Sequence, residues 1–236
     1  YPDATCRLLR EKLARTLRVD PAMLIFGNGW DELIVLALRA FVDPGDGVVV
    51  AAPTFLIYEL QARACGASVS VVPLRDYRYD LAAMKAAVTP HTKLVFIANP
   101  DNPTGTYVTK RELDAFLRGL PSQALVFLDE AYHVYARRSF LPRLGVGYGI
   151  ARPRLIAAMD AVREPFNVNS LAQAGAAAAL DDAAFLARTR RLIREGRRYL
   201  TKELDALRLR HVPSVTNFLL IELGPGAARV AQGLLA

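Results

Sequence analysis

What most limits the fold of this chain is a regular alternation between two hydrophobic periods. Short apolar runs rich in β-branched and aromatic residues recur: "GVVVAA" (47–52), "SVSVVPL" (68–74), "KLVFIAN" (93–99) and "ALVFLDEAY" (124–132). Runs of that length and composition read as strands. Between and around them lie segments with apolar residues at helical spacing: "CRLLREKLARTL" (6–17), "DELIVLALRAFV" (31–42), "PTFLIYELQARACG" (53–66), "DLAAMKAAV" (80–88), "TKRELDAFLRGL" (109–120) and "RPRLIAAMDAV" (152–162). One of these opens with Thr109 and Glu112 in a capping-box arrangement, and another runs out at Gly66, a residue suited to ending a helix. A strand that is apolar along its length is buried on both faces, and a helix between two such strands carries the chain back to start the next in parallel. The pattern predicts an α/β fold of three layers, with a mainly parallel central sheet covered by helices on both sides.

The character changes near Asp181. "DDAAFLARTRRLIREGRRYLTKELDAL" (181–207) reads as one long amphipathic helix rich in arginine, and "VPSVTNFLLIEL" (212–223) as one strand. The expected division is a large domain over 1–180 and the start of a smaller C-terminal α/β domain over 181–236.

Composition excludes several classes of function. The longest apolar stretch is broken by Pro53 and Thr54 and is too short to cross a bilayer, so no membrane role is expected. Cys6 and Cys65 stand in unrelated segments, which fits a reducing cytoplasm better than a disulfide framework. His91, His133 and His211 are too dispersed for a metal site. The net charge of +7 comes from arginines scattered over helix faces rather than from a recognition motif, so nucleic acid is not the expected partner.

Ligands of parallel α/β sheets gather beyond the C-terminal ends of the strands. Three groups of residues fall at strand ends or helix starts. In "GNGWDELIVLAL", Gly27 and Gly29 allow close approach of backbone to a ligand, and Asp31 opens a helix. Its free N–H groups suit a phosphate, although a plain turn with an acidic residue offsetting the helix dipole would read the same way. The bulky Trp30 side chain is expected to point away from such a loop while its amide remains usable. In "IANPDNPTGTY", prolines flank Asn102 and stiffen the turn that carries it, either to aim its amide or simply to make a rigid turn. In "VFLDEAYHVY", Asp129 ends an apolar run and Tyr132 follows three residues on. A buried carboxylate is costly without a cation, unless it caps the next helix. Phe55 in "APTF" suits either the core or a stacking platform, and its periodicity alone favours the core. A phosphate cradle, a flat aromatic, an amide, a buried aspartate and a phenol together match the needs of pyridoxal phosphate.

With "YPD", "GNGWDE", "APTF", "NPDNPTG", "LDEAY", "GYGIA", "PFNVNSLAQ" and "TNFLL" in this order, the chain resembles the fold-type-I pyridoxal-phosphate aminotransferases, in particular the histidinol-phosphate aminotransferase family. The resemblance implies that Gly29, Trp30 and Asp31 hold the cofactor phosphate and that Phe55 stacks on its ring. It implies further that Asn102 and Tyr132 bind the ring's 3-oxygen and that Asp129 pairs with the pyridinium. Tyr1 would reach the cofactor of a partner subunit in a homodimer, and Asn217 would approach substrate. The implied reaction moves an amino group between glutamate (or 2-oxoglutarate) and imidazole-acetol phosphate, a phosphorylated imidazole substrate, in cytoplasmic histidine biosynthesis. An aromatic-amino-acid aminotransferase or a threonine-phosphate decarboxylase of the same subgroup, and a lysine-less non-catalytic relative, are alternatives.

The pattern departs from that family in one place above all. The Schiff-base lysine and the phosphate-gripping arginine that precede the G-Y pair (here Gly147-Tyr148) are absent, and so is the C-terminal arginine that would bind a substrate carboxylate. Lys12, Lys85, Lys93, Lys110 and Lys202 all fall in helices or at a strand start. The expectation is that a segment is missing between Gly145 and Val146, with the two residues not joined by a normal peptide spacing.

Overall fold

The computed structural model describes residues 1–135 and 146–235. In chain order the elements are α1 (Arg7–Leu17), β1 (Leu24–Asn28), α2 (Gly29–Phe41), β2 (Gly47–Ala52), α3 (Ile57–Ala64), β3 (Ser68–Pro73), α4 (Leu81–Ala86), β4 (Thr92–Ala98), α5 (Lys110–Leu117), β5 (Leu125–Asp129), β6 (Val146–Ile150), α6 (Pro153–Ala161), α7 (Ser170–Ala179), α8 (Ala183–Ala206), β7 (His211–Val212), β8 (Leu220–Ile221) and α9 (Ala227–Leu235).

The expected α/β architecture is present. β3, β2, β4 and β5 lie side by side in that order, and every pairing among them is parallel. Val48, Val49 and Val50 of β2 and Leu94 to Ile97 of β4 are buried, as strands covered on both faces must be. Helix α2 turns Leu33, Ile34, Ala37 and Leu38 into the same core, and α3 adds Tyr58 and Ala62. A smaller cluster joins Leu9, Leu13 and Ala14 of α1 to Leu24, Phe26 and Val168.

Local signals set the element ends as anticipated. The Thr109 side chain accepts from the Glu112 N–H while the Glu112 carboxylate accepts from the Thr109 N–H, a closed capping box at α5. α3 is followed by Gly66 at φ +78°, the left-handed turn that lets the chain reverse into β3.

Two strands lacked a sequence signal. β1 and β6 form a separate antiparallel pair, Leu24 opposite Ile150 through Asn28 opposite Val146. Both contain glycine where a strand pattern calls for an apolar side chain, and packing explains it. A Cβ on Gly147 would sit 2.2 Å from the Gly29 carbonyl oxygen, so only glycine lets β6 pass the start of α2.

The single strand expected over 212–223 is instead two, β7 and β8, which pair with each other antiparallel. Pro213 has no N–H to give to a ladder, and the Ser214 and Thr216 hydroxyls accept from the Thr216 and Phe218 N–H groups. Those local bonds turn the chain between the two halves.

The sheet is not continuous across its width. Among the described residues β5 and β6 do not pair, and a cleft of about 290 Å3 separates them, lined on one side by Val126, Phe127 and Leu128 and on the other by Tyr148, Gly149 and Ile150. Leu128 is 36% exposed and Ile150 47%, whereas the residues opposite them in the ladders, Ile97 of β4 and Leu24 of β1, are buried. Close-packed interiors do not leave apolar gaps of this size between strand edges. Gly145 falls outside the described residues, so the expected break in spacing at Gly145–Val146 lies outside them as well.

Candidate active site

Because β2, β4 and β5 are parallel, their C-terminal ends open on one edge of the sheet. β2 runs into Pro53, Thr54 and Phe55, β4 into the Asn99–Gly105 turn, and β5 ends at Asp129. Four of the residues singled out from sequence therefore arrive together.

Asp129 is 5% exposed. Its Oδ2 accepts from the Tyr58 hydroxyl at 2.6 Å, and its Oδ1 accepts from the Ala131 N–H at 2.8 Å. The second bond closes the turn leading to Tyr132, and the partner deeper in the core is a phenol. Burial, and after it the charge of Asp129, pushes the Tyr58 hydroxyl well above the usual tyrosine range. Tyr58 therefore remains a proton donor at any physiological pH.

Asn102 and Tyr132 meet directly, the Asn102 Nδ2 donating to the Tyr132 hydroxyl at 3.0 Å. Two polar groups held this close can grip one oxygen between them. The Tyr132 ring stands edge-on against Phe218, with centroids 4.9 Å apart. That contact brings the segment carrying Asn217, itself exposed, beside the site. Phe55 is half-buried and meets Tyr58 edge-on at 5.6 Å, so one face of its surroundings is core and the rest is open.

The turn that presents Asn102 is stiff for a reason the prolines only hint at. Asp101, fully buried, accepts from the Thr104 hydroxyl at 2.8 Å, from the Tyr79 hydroxyl at 3.3 Å and from the Thr54 hydroxyl. Its backbone N–H donates to the Thr106 carbonyl and its carbonyl accepts from the Gly105 N–H, both at 2.9 Å. Asn99 closes the base of the turn, donating to the Val108 carbonyl at 3.1 Å and accepting from the Val108 N–H at 2.8 Å. Desolvation raises the Asp101 pKa above the ordinary carboxylate value, with the hydroxyl bonds pulling the other way. Sequence reasoning passed over Asp101, Tyr58, Thr54 and Tyr79. The available signal was a charged residue between two prolines and a tyrosine one helical turn after Phe55.

At the start of α2, Gly29 has φ +82° and open space where a side chain would be, so its backbone can face a ligand. Trp30 turns its ring toward Tyr148, centroids 6.1 Å apart, and lines the cleft beside Glu130. Asp31 and Glu32 occupy the first turn, and the Glu32 carboxylate accepts from the Asn28 N–H and from the Asn167 Nδ2. Those two carboxylates already offset the positive end of the helix, so an anion bound there calls for a cation as well.

One expected residue lies apart. Tyr1 is fully exposed, its ring 5.3 Å from that of Phe166. The lysines also stand elsewhere: Lys12 bonds the Ala177 carbonyl and Asp181, Lys110 pairs with Asp114, Lys85 lies against Gly119, and Lys93 occupies the N-terminal end of β4, opposite to the site. Lys202 is on α8.

The family model described as aminotransferase class I and II matches residues 1–145 and 140–236. The histidinol-phosphate aminotransferase of Moorella thermoacetica is 41% identical over 261 residues, covering all of this chain and 68% of its own. That of a Geobacillus species is 42% identical over 260 residues, covering all of this chain and 71% of its own. Among solved structures, histidinol-phosphate aminotransferase from Sinorhizobium meliloti in complex with pyridoxal-5'-phosphate superimposes with a TM-score of 0.90 at 29% identity, over 98% of this chain and 70% of that one. Both alignments run longer than the 236 residues here, and the two matched stretches of the family model meet at 140–145, next to the interrupted sheet. The residues present fit the ring of pyridoxal phosphate: a buried carboxylate for its nitrogen, a paired amide and phenol for an oxygen, and an aromatic for its face.

Proposed function

The chain belongs to the aminotransferase class I and II family, and on that premise we propose that it is a pyridoxal-phosphate-dependent aminotransferase of histidine biosynthesis, moving an amino group between glutamate and imidazole-acetol phosphate to give histidinol phosphate. The observation that carries this reading is the Asp129 carboxylate, buried at the C-terminal end of a parallel strand beside the joined Asn102 and Tyr132. When bound, pyridoxal phosphate supplies an electron-withdrawing ring, and a carboxylate at its nitrogen keeps that ring protonated and strongly withdrawing.

In this reading Asp129 meets the ring nitrogen, and Asn102 with Tyr132 holds the 3-oxygen. Phe55 covers one face of the ring. The amides of Gly29, Trp30 and Asp31 take the phosphate at the start of α2. Asn217 reaches substrate from the segment anchored by Phe218. The large and small domains divide near residue 180. The enzyme works in the cytoplasm as a homodimer, with Tyr1 directed to the partner's cofactor. Exposed apolar side chains such as Leu8 at 69% and Leu171 at 86% support a protein partner, and among the described residues no helix is long and apolar enough to cross a membrane.

A second reading, cofactor binding without turnover, draws on the absence of any lysine in contact with this group among the described residues. Assays of glutamate against a panel of keto acids separate the readings and identify the acceptor. Asp129→Asn is expected to leave the fold intact and to lower transamination by orders of magnitude. Near-normal turnover in that variant would sink the assignment.

A further inference from the structure

Asp129 can serve a ring nitrogen only if its carboxylate is turned toward the ring and stays charged in a buried place. The structure shows what turns it. Tyr58 lies on α3, after β2, yet its hydroxyl reaches past β4 to the end of β5 and donates to Asp129 Oδ2 at 2.6 Å. Its ring is stacked on Phe96 of β4, with centroids 4.8 Å apart and planes 12° apart, and its edge meets Phe55 at 5.6 Å. At 1% exposure the side chain has no room to choose another rotamer.

We infer that Tyr58 is a positioning residue for the cofactor ring: its phenol, locked by Phe96, orients the Asp129 carboxylate toward the ring nitrogen and stabilises its charged form. The choice of a phenol is chemically specific. A neutral donor favours the charged carboxylate. A lysine or arginine in the same place would do so more strongly, but would compete with the protonated ring nitrogen as the carboxylate's cation. The Ala131 N–H donates to Oδ1 at 2.8 Å, so a neutral donor reaches each of the two carboxylate oxygens. Because the same phenol ring touches Phe55, the side chain expected on the ring face and the carboxylate expected at its nitrogen share one support.

This inference rests on the pyridoxal-phosphate reading, and the test keeps the two apart. The chain has a single tryptophan, Trp30, at the start of α2, so its fluorescence reports binding directly. Two probes are titrated into the protein without turnover: pyridoxamine 5'-phosphate, and its 1-deaza analogue, in which carbon replaces the ring nitrogen. Wild type is expected to bind the first more tightly. Tyr58→Phe should weaken pyridoxamine phosphate about tenfold, the scale of a hydrogen bond to a charged group, and leave the deaza analogue unchanged. Phe55→Leu, which acts on the ring face, should weaken both probes alike. An equal loss of both probes in Tyr58→Phe, or no loss of either, overturns the positioning role while the cofactor reading stands. A wild type that binds neither probe overturns both.

Discussion

The two borders of β4's neighbourhood in this molecule are built to different standards. At the ends of β2 and β4, the buried Asp101 gathers three hydroxyls, Asn99 bridges to Val108 on both its amide atoms, and Phe96 is sealed between Tyr58 and its neighbours. One strand further on, β5 presents Val126, Phe127 and Leu128 to a cleft, and β6 faces it from the other side without pairing. The first region is complete because every partner it needs lies within this chain, mostly within a few dozen residues. The second has, among the described residues, two strand edges and no strand between them. The difference shows that the turn carrying Asn102 is organised by contacts on the β2 and β4 side, away from the interrupted part of the sheet.

The sharpest way to break this comparison is to cut the same side chain in both regions. Phe96→Ala, at 0% exposure, is expected to lower unfolding stability by about 4 kcal/mol, transfer and cavity effects together. Phe127→Ala, whose ring already borders the cleft, should cost only about 1 kcal/mol, as expected when little water-excluded area is lost. Urea denaturation of the two variants measures both, and equal losses would mean that the cleft is closed in solution.

A next test adds instead of removing. Inserting a strand-forming segment between Gly145 and Val146 should fill the cleft and stabilise the protein by about 3 kcal/mol through burial of β5's apolar faces. Hydrogen exchange should show β5 amides becoming as slow as those of β4. An insert that leaves β5 exchange unchanged would show that the cleft is not a strand's seat.

The smallest effect is one of pH on the knitted side. Burial raises the Asp101 pKa, so the folded state binds that proton more tightly than the unfolded chain does. Its stabilising contribution is therefore present at acidic pH, below the ordinary carboxylate value, and is lost as pH rises through the raised pKa. Relative to Asp101→Asn, which carries no charge, wild type should gain stability on acidification across that window. Urea midpoints compared at a series of pH values give the sign, and an opposite slope would mean that the hydroxyl donors outweigh desolvation.

Much of this was legible in the residues alone. The strands β2, β3, β4 and β5 and their intervening helices follow from runs of apolar residues whose period is a local property. So do the capping box at Thr109 and the helix end at Gly66, because a cap is satisfied within one turn of chain. The types of residue at the strand ends, Asn102, Asp129 and Tyr132, were visible for the same reason.

Only the folded structure decided the rest, because it depended on residues far apart in sequence. Glycine-bearing β1 and β6 are strands because Gly147 passes the Gly29 carbonyl, a contact between distant segments that no local period encodes. Tyr58 reads as an ordinary apolar-face helix residue until β4 sets it beside Asp129, and Asp101 reads as a turn residue until Thr54 and Tyr79 close over it. Hydrophobic period determines where a chain forms strands and helices. Which buried polar groups end up satisfying one another is decided by the packing of those elements, since a hydrogen bond in a low-dielectric interior depends on position to within a few tenths of an ångström.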